Sequence, residues 1–204
     1  PVLDARFWSP EDPYQYVAQV SLMCRGRECD RVEQRFGMRD ITTQGNVLLL
    51  NGKPFYLRGY GDDNIEVLTG VPPASKEVYR KQLQLAKSCG FNAVRFHSMT
   101  PMRELFEAAD EVGIFVMAEL PVAYTQYFLP HKEFLRNELK DILLAHRNHP
   151  SFLSLALGNE FNLSWLKSDE ERKGFVGTVA GFYSYAKQLD PARLERTRSR
   201  QFQL

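Results

Sequence analysis

Arg147-Asn148-His149-Pro150-Ser151-Phe152-Leu153-Ser154-Leu155-Ala156-Leu157-Gly158-Asn159-Glu160-Phe161 is the stretch on which the fold turns. Phe152 to Leu157 is a short, nearly unbroken apolar run, the pattern of a strand covered on both faces. Gly158 ends it, and Asn159 and Glu160 follow at its C-terminal tip. In a parallel α/β barrel, catalytic groups stand at that end of the strands. A carboxyl group beside a carboxamide there suits a proton donor next to a group that holds a substrate hydroxyl.

Upstream of this strand the same period repeats. Lys76 to Cys89 predicts an amphipathic helix carrying Val78, Leu83, Leu85 and Ala86. Asn92 to Phe96 predicts a strand, Met102 to Val112 a helix with Leu105, Phe106 and Ala109 inward, and Ile114 to Ala118 another strand. A helix from about His131 to Arg147 leads into the quoted strand, and one from about Glu170 to Gln188 follows it. Gly90 and Gly113 stand where helix C-caps are expected. With an apolar strand over Phe55 to Tyr60 at the start, the pattern is four βα units in a parallel sheet, residues 53–191. Past Pro191 the chain turns arginine-rich, with no apolar run to make a fifth strand, so residues 192–204 are expected to be a polar tail.

Before residue 53 the pattern is β and antiparallel. Tyr14 to Leu22 alternates as a half-buried strand does, Arg25-Gly26-Arg27 turns the chain, and Arg31 to Met38 returns it. Val47 to Leu50 and Lys53 to Leu57 flank Asn51-Gly52, a strong hairpin signal. Residues 1–52 thus read as the last strands of a β-sandwich.

Composition narrows the class. The 204 residues are 44% hydrophobic and 25% charged with a net charge of +1, which gives no electrostatic footprint for nucleic acid. No apolar run approaches the roughly 18 residues of a membrane span, and Pro1 to Arg6 has no signal-peptide pattern. Cys24 and Cys29 flank a turn, a spacing open to a cross-hairpin disulfide or to two free thiols. The odd cysteine count and the lack of a redox or zinc spacing favour free thiols.

Several of these motifs, taken in order, resemble glycoside hydrolase family 2, which contains the β-galactosidases, β-glucuronidases and β-mannosidases. Phe7-Trp8-Ser9-Pro10-Glu11-Asp12-Pro13-Tyr14 resembles the entry to that family's immunoglobulin-like sandwich domain. Phe36-Gly37-Met38-Arg39 with Leu50-Asn51-Gly52-Lys53-Pro54-Phe55-Tyr56-Leu57-Arg58-Gly59 resembles the junction into its (β/α)8 catalytic barrel. Asn92 to Arg95 and Asp110 to Ile114 are similar to barrel strands two and three, and Arg147 to Ser151 with Gly158-Asn159-Glu160 to strand four. The resemblance spans about residues 7 to 191. It implies a partial barrel, four βα units long, preceded by sandwich strands. It also implies a retaining β-glycosidase in which Glu160 is the general acid/base and Asn159 hydrogen-bonds the sugar 2-hydroxyl. The family's nucleophile belongs to the seventh strand, so no residue of this chain takes that role. Gly59-Tyr60-Gly61-Asp62-Asp63-Asn64 departs from the family's Asn and His-Glu in the first loop.

Other rim residues have two readings each. Glu119, ending Met117-Ala118-Glu119, would bind substrate or pair with an arginine. Arg95 and His97 would contact hydroxyls, or Arg95 would neutralise the rim carboxylates; Asp62 and Asp63 would bind hydroxyls or cap the first loop. Tyr124, Tyr127, Phe128 and Trp165 would stack on a sugar ring or pack internally. His146 and His149 form a His-x-x-His pair read as structural, because Pro150 breaks the helix and no third ligand stands at suitable spacing. The expected partner is therefore a carbohydrate substrate, with no cofactor, no metal, no nucleic acid and no membrane. Four units leave sheet edges and an apolar inner face uncovered, so the chain is expected either to be part of a longer enzyme or to form a homodimer. The alternative function is a truncated barrel without glycosidase turnover, retaining at most a weak esterase-like activity from Glu119, Glu160 and His97.

Overall fold

The computed structural model describes residues 2–64, 66 and 69–196. Its first element is a hairpin of β1 (Tyr16–Cys24) and β2 (Arg27–Phe36). The turn residues Arg25 and Gly26 both have positive φ, 50° and 78°, the geometry of a tight hairpin turn that matches strand twist. The half-buried strand expected here holds only at its start, where Tyr16 and Ala18 are half-buried. Beyond Ala18 both faces are exposed, and Val20, Leu22 and Val32 are 66%, 61% and 59% exposed. Two strands alone form no second layer to cover either face.

A second antiparallel sheet follows, of β3 (Ile41–Gln44), β4 (Val47–Leu50) and β5 (Lys53–Pro54). Ile41 and Leu50 of this sheet cluster with Trp8 and with Ala93, Phe115 and Leu153 of the main sheet. Phe55 and Leu57 join the same cluster, so the apolar segment read as a strand runs as an extended cap under the barrel. Phe36-Gly37-Met38-Arg39 locks this junction. A Cβ on Gly37 would lie 2.6 Å from Pro150 Cγ, so only glycine fits there. Arg39 donates to the Pro150 carbonyl and, at 2.6 Å, to that of Phe152. Burial lowers its pKa to about 9, which leaves it charged at neutral pH.

The main sheet has five parallel strands in the order β10-β9-β8-β7-β6. In chain order these are β6 (Gly59–Asp62), α1 (Lys76–Ser88), β7 (Ala93–Phe96), α2 (Arg103–Val112), β8 (Phe115–Glu119), the short α3 (Thr125–Phe128), α4 (Lys132–His146), β9 (Phe152–Ala156), α5 (Asp169–Leu189) and β10 (Leu194–Arg196). This is the arc of a partial (β/α) barrel. Gly113 closes α2 in the left-handed region at φ 80°, as its sequence position implied. Ser168 caps α5 by accepting from Glu171 N, and Glu171 accepts from Lys167 N in return, a reciprocal arrangement close to a capping box. Val94, Phe96, Val116, Ala118, Leu155 and Leu157 turn outward into one core with Leu105, Phe106, Leu139, Leu143, Phe175 and Phe182 of the helices.

Residues 194–196 correct the expectation of a tail. Leu194–Arg196 pairs in parallel with Ser154–Ala156 as a fifth strand. Leu-Glu-Arg has no apolar run, so backbone pairing against β9 defines the strand. The rest of the expected tail, 197–204, lies outside the described residues. The inner face also differs from the bare apolar face expected. Its lower part is covered by β3–β5 and Trp8, and its upper part is a cavity of about 290 Å³ that includes Gly59, Gly61, Arg95, Glu119 and Ser154 in its lining. Among the described residues, no helix is long and apolar enough to cross a membrane.

Candidate active site

At the C-terminal tips of the strands the backbone departs from ordinary conformations. Asn64, Ser98, Tyr124 and Glu160 follow β6, β7, β8 and β9 in turn, and each is a non-glycine residue with positive φ, at 52°, 54°, 69° and 51°. Such conformations cost of order 1–3 kcal/mol each and collect where a site over-determines the backbone. The strained positions mark one rim.

A chain of polar side chains runs along that rim. Glu119 is buried at the tip of β8, and both its oxygens are engaged: Oε1 accepts from Arg95 Nε at 2.6 Å and Oε2 from Ser98 N at 2.7 Å. Arg95 then donates through Nη2 to Asn159 Oδ1 at 2.9 Å. Asn159 is 3% exposed. Its backbone is also held, with N donating to Val122 O and O accepting from Tyr124 N. The Asn159 amide nitrogen lies 3.0 Å from His97 Nε2, and His97 Nδ1 lies 3.4 Å from Asp63 Oδ1. With the amide donating to Nε2, the imidazole proton belongs on Nδ1, facing Asp63. Among the described residues, His97 Nε2 is the one recorded partner of the Asn159 amide nitrogen.

Glu160 contrasts with its neighbours. Its side chain is exposed and makes no hydrogen bond or ion pair with the described residues. This part of the barrel supplies no burial around its carboxylate. The backbone just before Glu160 is constrained at Gly158, whose φ of +152° and close approach to Phe161 exclude a side chain: a Cβ would meet Phe161 Cζ at 2.3 Å. Phe161 is held in turn against Phe128 and Phe175.

The two flanking loops are stitched together. Thr125 Oγ1 donates to Asn162 O and accepts from Asn162 N, and Asn162 Oδ1 caps the 3₁₀ turn that carries Trp165. Trp165 and Tyr124 are partly exposed with ring centroids 5.5 Å apart, and Tyr127 continues the aromatic surface 6.4 Å from Tyr124. Phe128, by contrast, is fully buried in the helix-facing core.

The structure therefore brings Glu119, Arg95, Asn159, His97 and Asp63 into one connected network. Asp62 stands at its edge, where Oδ1 accepts from Asn64 N and the carbonyl accepts from His97 N. Sequence reasoning passed over Ser98 and Thr100, which fix Glu119 through its carboxylate and its carbonyl. Their position in the turn just after β7, beside Arg95 and His97, was the available signal. His146 and His149 lie off the rim. His149 Nδ1 pairs with Asp110 Oδ2 at 2.6 Å, and His146 stacks on Phe106 at 4.2 Å.

Residues 41–201 match the family described as glycosyl hydrolases family 2, TIM barrel domain, and residues 1–39 match glycosyl hydrolases family 2. A relative named putative beta-glucuronidase from Formosa agariphila is 30% identical over 200 residues, covering 94% of this chain and 24% of that protein. The crystal structure of a glycosyl hydrolase family 2 member from Bacteroides cellulosilyticus aligns with a TM-score of 0.82 at 27% identity, over 96% of this chain and 26% of that one. A beta-galacturonidase from Eisenbergiella tayi, solved bound to galacturonate, aligns with a TM-score of 0.81 at 28% identity, over 99% of this chain and 35% of that one. The chain thus spans about a quarter to a third of the proteins it matches here.

Proposed function

The chain belongs to glycosyl hydrolase family 2, and from that premise we propose that its rim is the acid/base half of a retaining β-glycosidase site acting on a carbohydrate substrate. Asn159 carries the reading. Arg95 and His97 engage its amide from two sides, which leaves one N–H to donate to a sugar hydroxyl beside an unengaged carboxylate.

In this mechanism Glu160 gives its proton to the glycosidic oxygen as the bond to the anomeric carbon breaks. A second carboxylate attacks that carbon and forms a glycosyl ester. Glu160, now ionised, takes a proton from water, the water oxygen attacks the anomeric carbon, and the ester bond breaks. The nucleophile must lie about 5–5.5 Å from the acid/base. Glu119 does not suit that role, because both its oxygens are committed to Arg95 and Ser98 N. The family resemblance assigns the nucleophile to the seventh barrel strand, outside this rim. Within the site, Glu119 is a positioning residue acting through Arg95. Asp62 and Asp63 are offered to substrate hydroxyls, and Trp165, partly exposed beside Tyr124, to a sugar ring face.

The same engagement of Glu119 favours a second reading for the 204-residue chain by itself: a folded half-site without glycosidase turnover, with at most slow ester cleavage at the Glu160 and His97 rim. Chromogenic β-glycosides and simple esters, assayed on the wild type and on Glu160→Gln, separate the two. Glycoside turnover that falls by 10²–10⁴-fold in the variant supports the first reading. Ester cleavage alone supports the second, and glycoside turnover unchanged in Glu160→Gln overturns the role given to that residue.

A further inference from the structure

The β1–β2 hairpin holds two thiols that the rim does not use. Cys24 closes the tight turn and pairs with Arg27, and Met23 pairs with Glu28. The next pair is Leu22 with Asp30, so Cys29 is an extra residue in a β-bulge, with no partner across the ladder. In an unbulged hairpin, Cys29 would sit diagonal to Cys24 on the same face, with Cα atoms about 7–8 Å apart. A disulfide needs Cβ atoms at about 3.5–4.5 Å. The bulge bends the strand and re-aims the side chain. Cys29 Sγ points back to the turn, 3.8 Å from the Arg27 carbonyl oxygen. Arg27 is the cross-strand partner of Cys24, so this places the Cys29 sulfur on the Cys24 side of the ladder, and the Cys29 side chain raises the pKa of Cys24. Both thiols are exposed, whereas Cys89 lies apart at the end of α1.

We propose that Cys24 and Cys29 form a reactive dithiol that low-molecular-weight disulfides such as oxidised glutathione convert to an intrahairpin disulfide. The Cys29 thiolate attacks one glutathione sulfur, forming a mixed disulfide and releasing one glutathione thiolate. Cys24 then ionises and attacks the Cys29 sulfur. The Cys24–Cys29 bond forms as the second glutathione leaves. The protein loses two electrons and two protons, and one oxidised glutathione becomes two reduced ones. Attack through the thiolate and displacement of a thiolate leaving group are the general course of this exchange. Arg25 and Arg27, which flank the turn glycine, favour approach of the anionic glutathione. Closure pins both the turn and the bulge, and glutathione or a dithiol reopens it.

Tryptic mapping of the full chain reads the reaction directly. Cleavage after Arg25, Arg27 and Arg31 places Cys24 and Cys29 on separate peptides, so a bond between them appears as a linked pair that reduction removes. Incubation of the folded chain with oxidised glutathione is expected to give that linked pair as the main product, while Cys89 remains free or carries glutathione. Cys24→Ser is expected to leave a persistent glutathione adduct on Cys29, and Cys89→Ser to leave the linked pair unchanged. Closure is expected to run at least about tenfold faster in the folded chain than in guanidinium, because the folded hairpin fixes the register of the two strands and turns the Cys29 sulfur towards the Cys24–Arg27 pair. Stable glutathione adducts on both Cys24 and Cys29, a disulfide-linked dimer as the main product, or equal rates folded and unfolded would each overturn the proposal.

Discussion

His146 is a half-buried base whose Nδ1 has no hydrogen-bond partner among the described residues. Its ring stacks on Phe106 at 4.2 Å, and Nδ1 itself is buried. Burial is the main cause that lowers its pKa from 6.5 to about 4, with the nearby charges of His149, Arg103 and Arg193 adding to it. Between those two values the unfolded chain binds the proton and the folded chain does not. Stability contributed by neutral His146 is thus present above about pH 6.5 and is lost as pH falls towards 4. The whole displacement corresponds to on the order of 3 kcal/mol, of which about 2 falls between pH 7 and pH 5. Guanidinium denaturation at those two pH values is expected to show that loss in the wild type and a clearly smaller one in His146→Phe, which keeps the stacked ring. An equal loss in both proteins would place the acid sensitivity elsewhere.

At the scale of the element, α5 carries a stabilising change in plain view. Gly174, Gly177 and Gly181 stand inside this helix, and a Cβ built on any of them meets nothing within 4 Å. Glycine in a helix interior costs roughly 0.5–1 kcal/mol relative to alanine. Gly177→Ala is therefore expected to raise unfolding free energy by about that amount, read as a higher denaturation midpoint at unchanged slope; a lower midpoint would show that the open face is occupied in solution. Elements of this kind also show what could be read in advance. β7, β8 and β9 were legible because covered parallel strands need apolar runs, which Ala93–Phe96, Phe115–Glu119 and Phe152–Ala156 largely provide. β6 and β10 were not, since Gly59-Tyr60-Gly61-Asp62 and Leu194-Glu195-Arg196 carry no such run and are strands through backbone pairing. The site divided the same way. Asn159 and Glu160 were visible as polar residues ending an apolar run. The order Glu119–Arg95–Asn159–His97 is set by strand adjacency, and the supporting Ser98 and Thr100 by a turn that no periodicity encodes.

The whole molecule has an unbalanced surface. Its described parallel sheet ends in β6 on one side and β10 on the other, and both edges carry backbone groups with no strand beyond them. Parallel sheets occur almost only with both faces covered, and barrels abolish their edges by closing. The inner face is not the main liability, because Trp8 and β3–β5 cover its base and Arg95 and Glu119 make its top polar. The edges and the two-sided hairpin are the liability, with Val20, Leu22 and Val32 exposed as a contiguous apolar set around the Val20–Val32 pair. Unpaired edges and apolar patches of this kind drive association. We therefore expect the 204-residue chain, produced alone, to self-associate, with a homodimer that pairs two barrel arcs as the smallest closed form. Light scattering coupled to size exclusion at micromolar concentration should give a mass that is a multiple of 23.6 kDa. Replacing Val20 and Val32 with threonine separates the two sources. Association that persists is edge-driven, association that vanishes is hairpin-driven, and a stable wild-type monomer would mean that neither surface suffices.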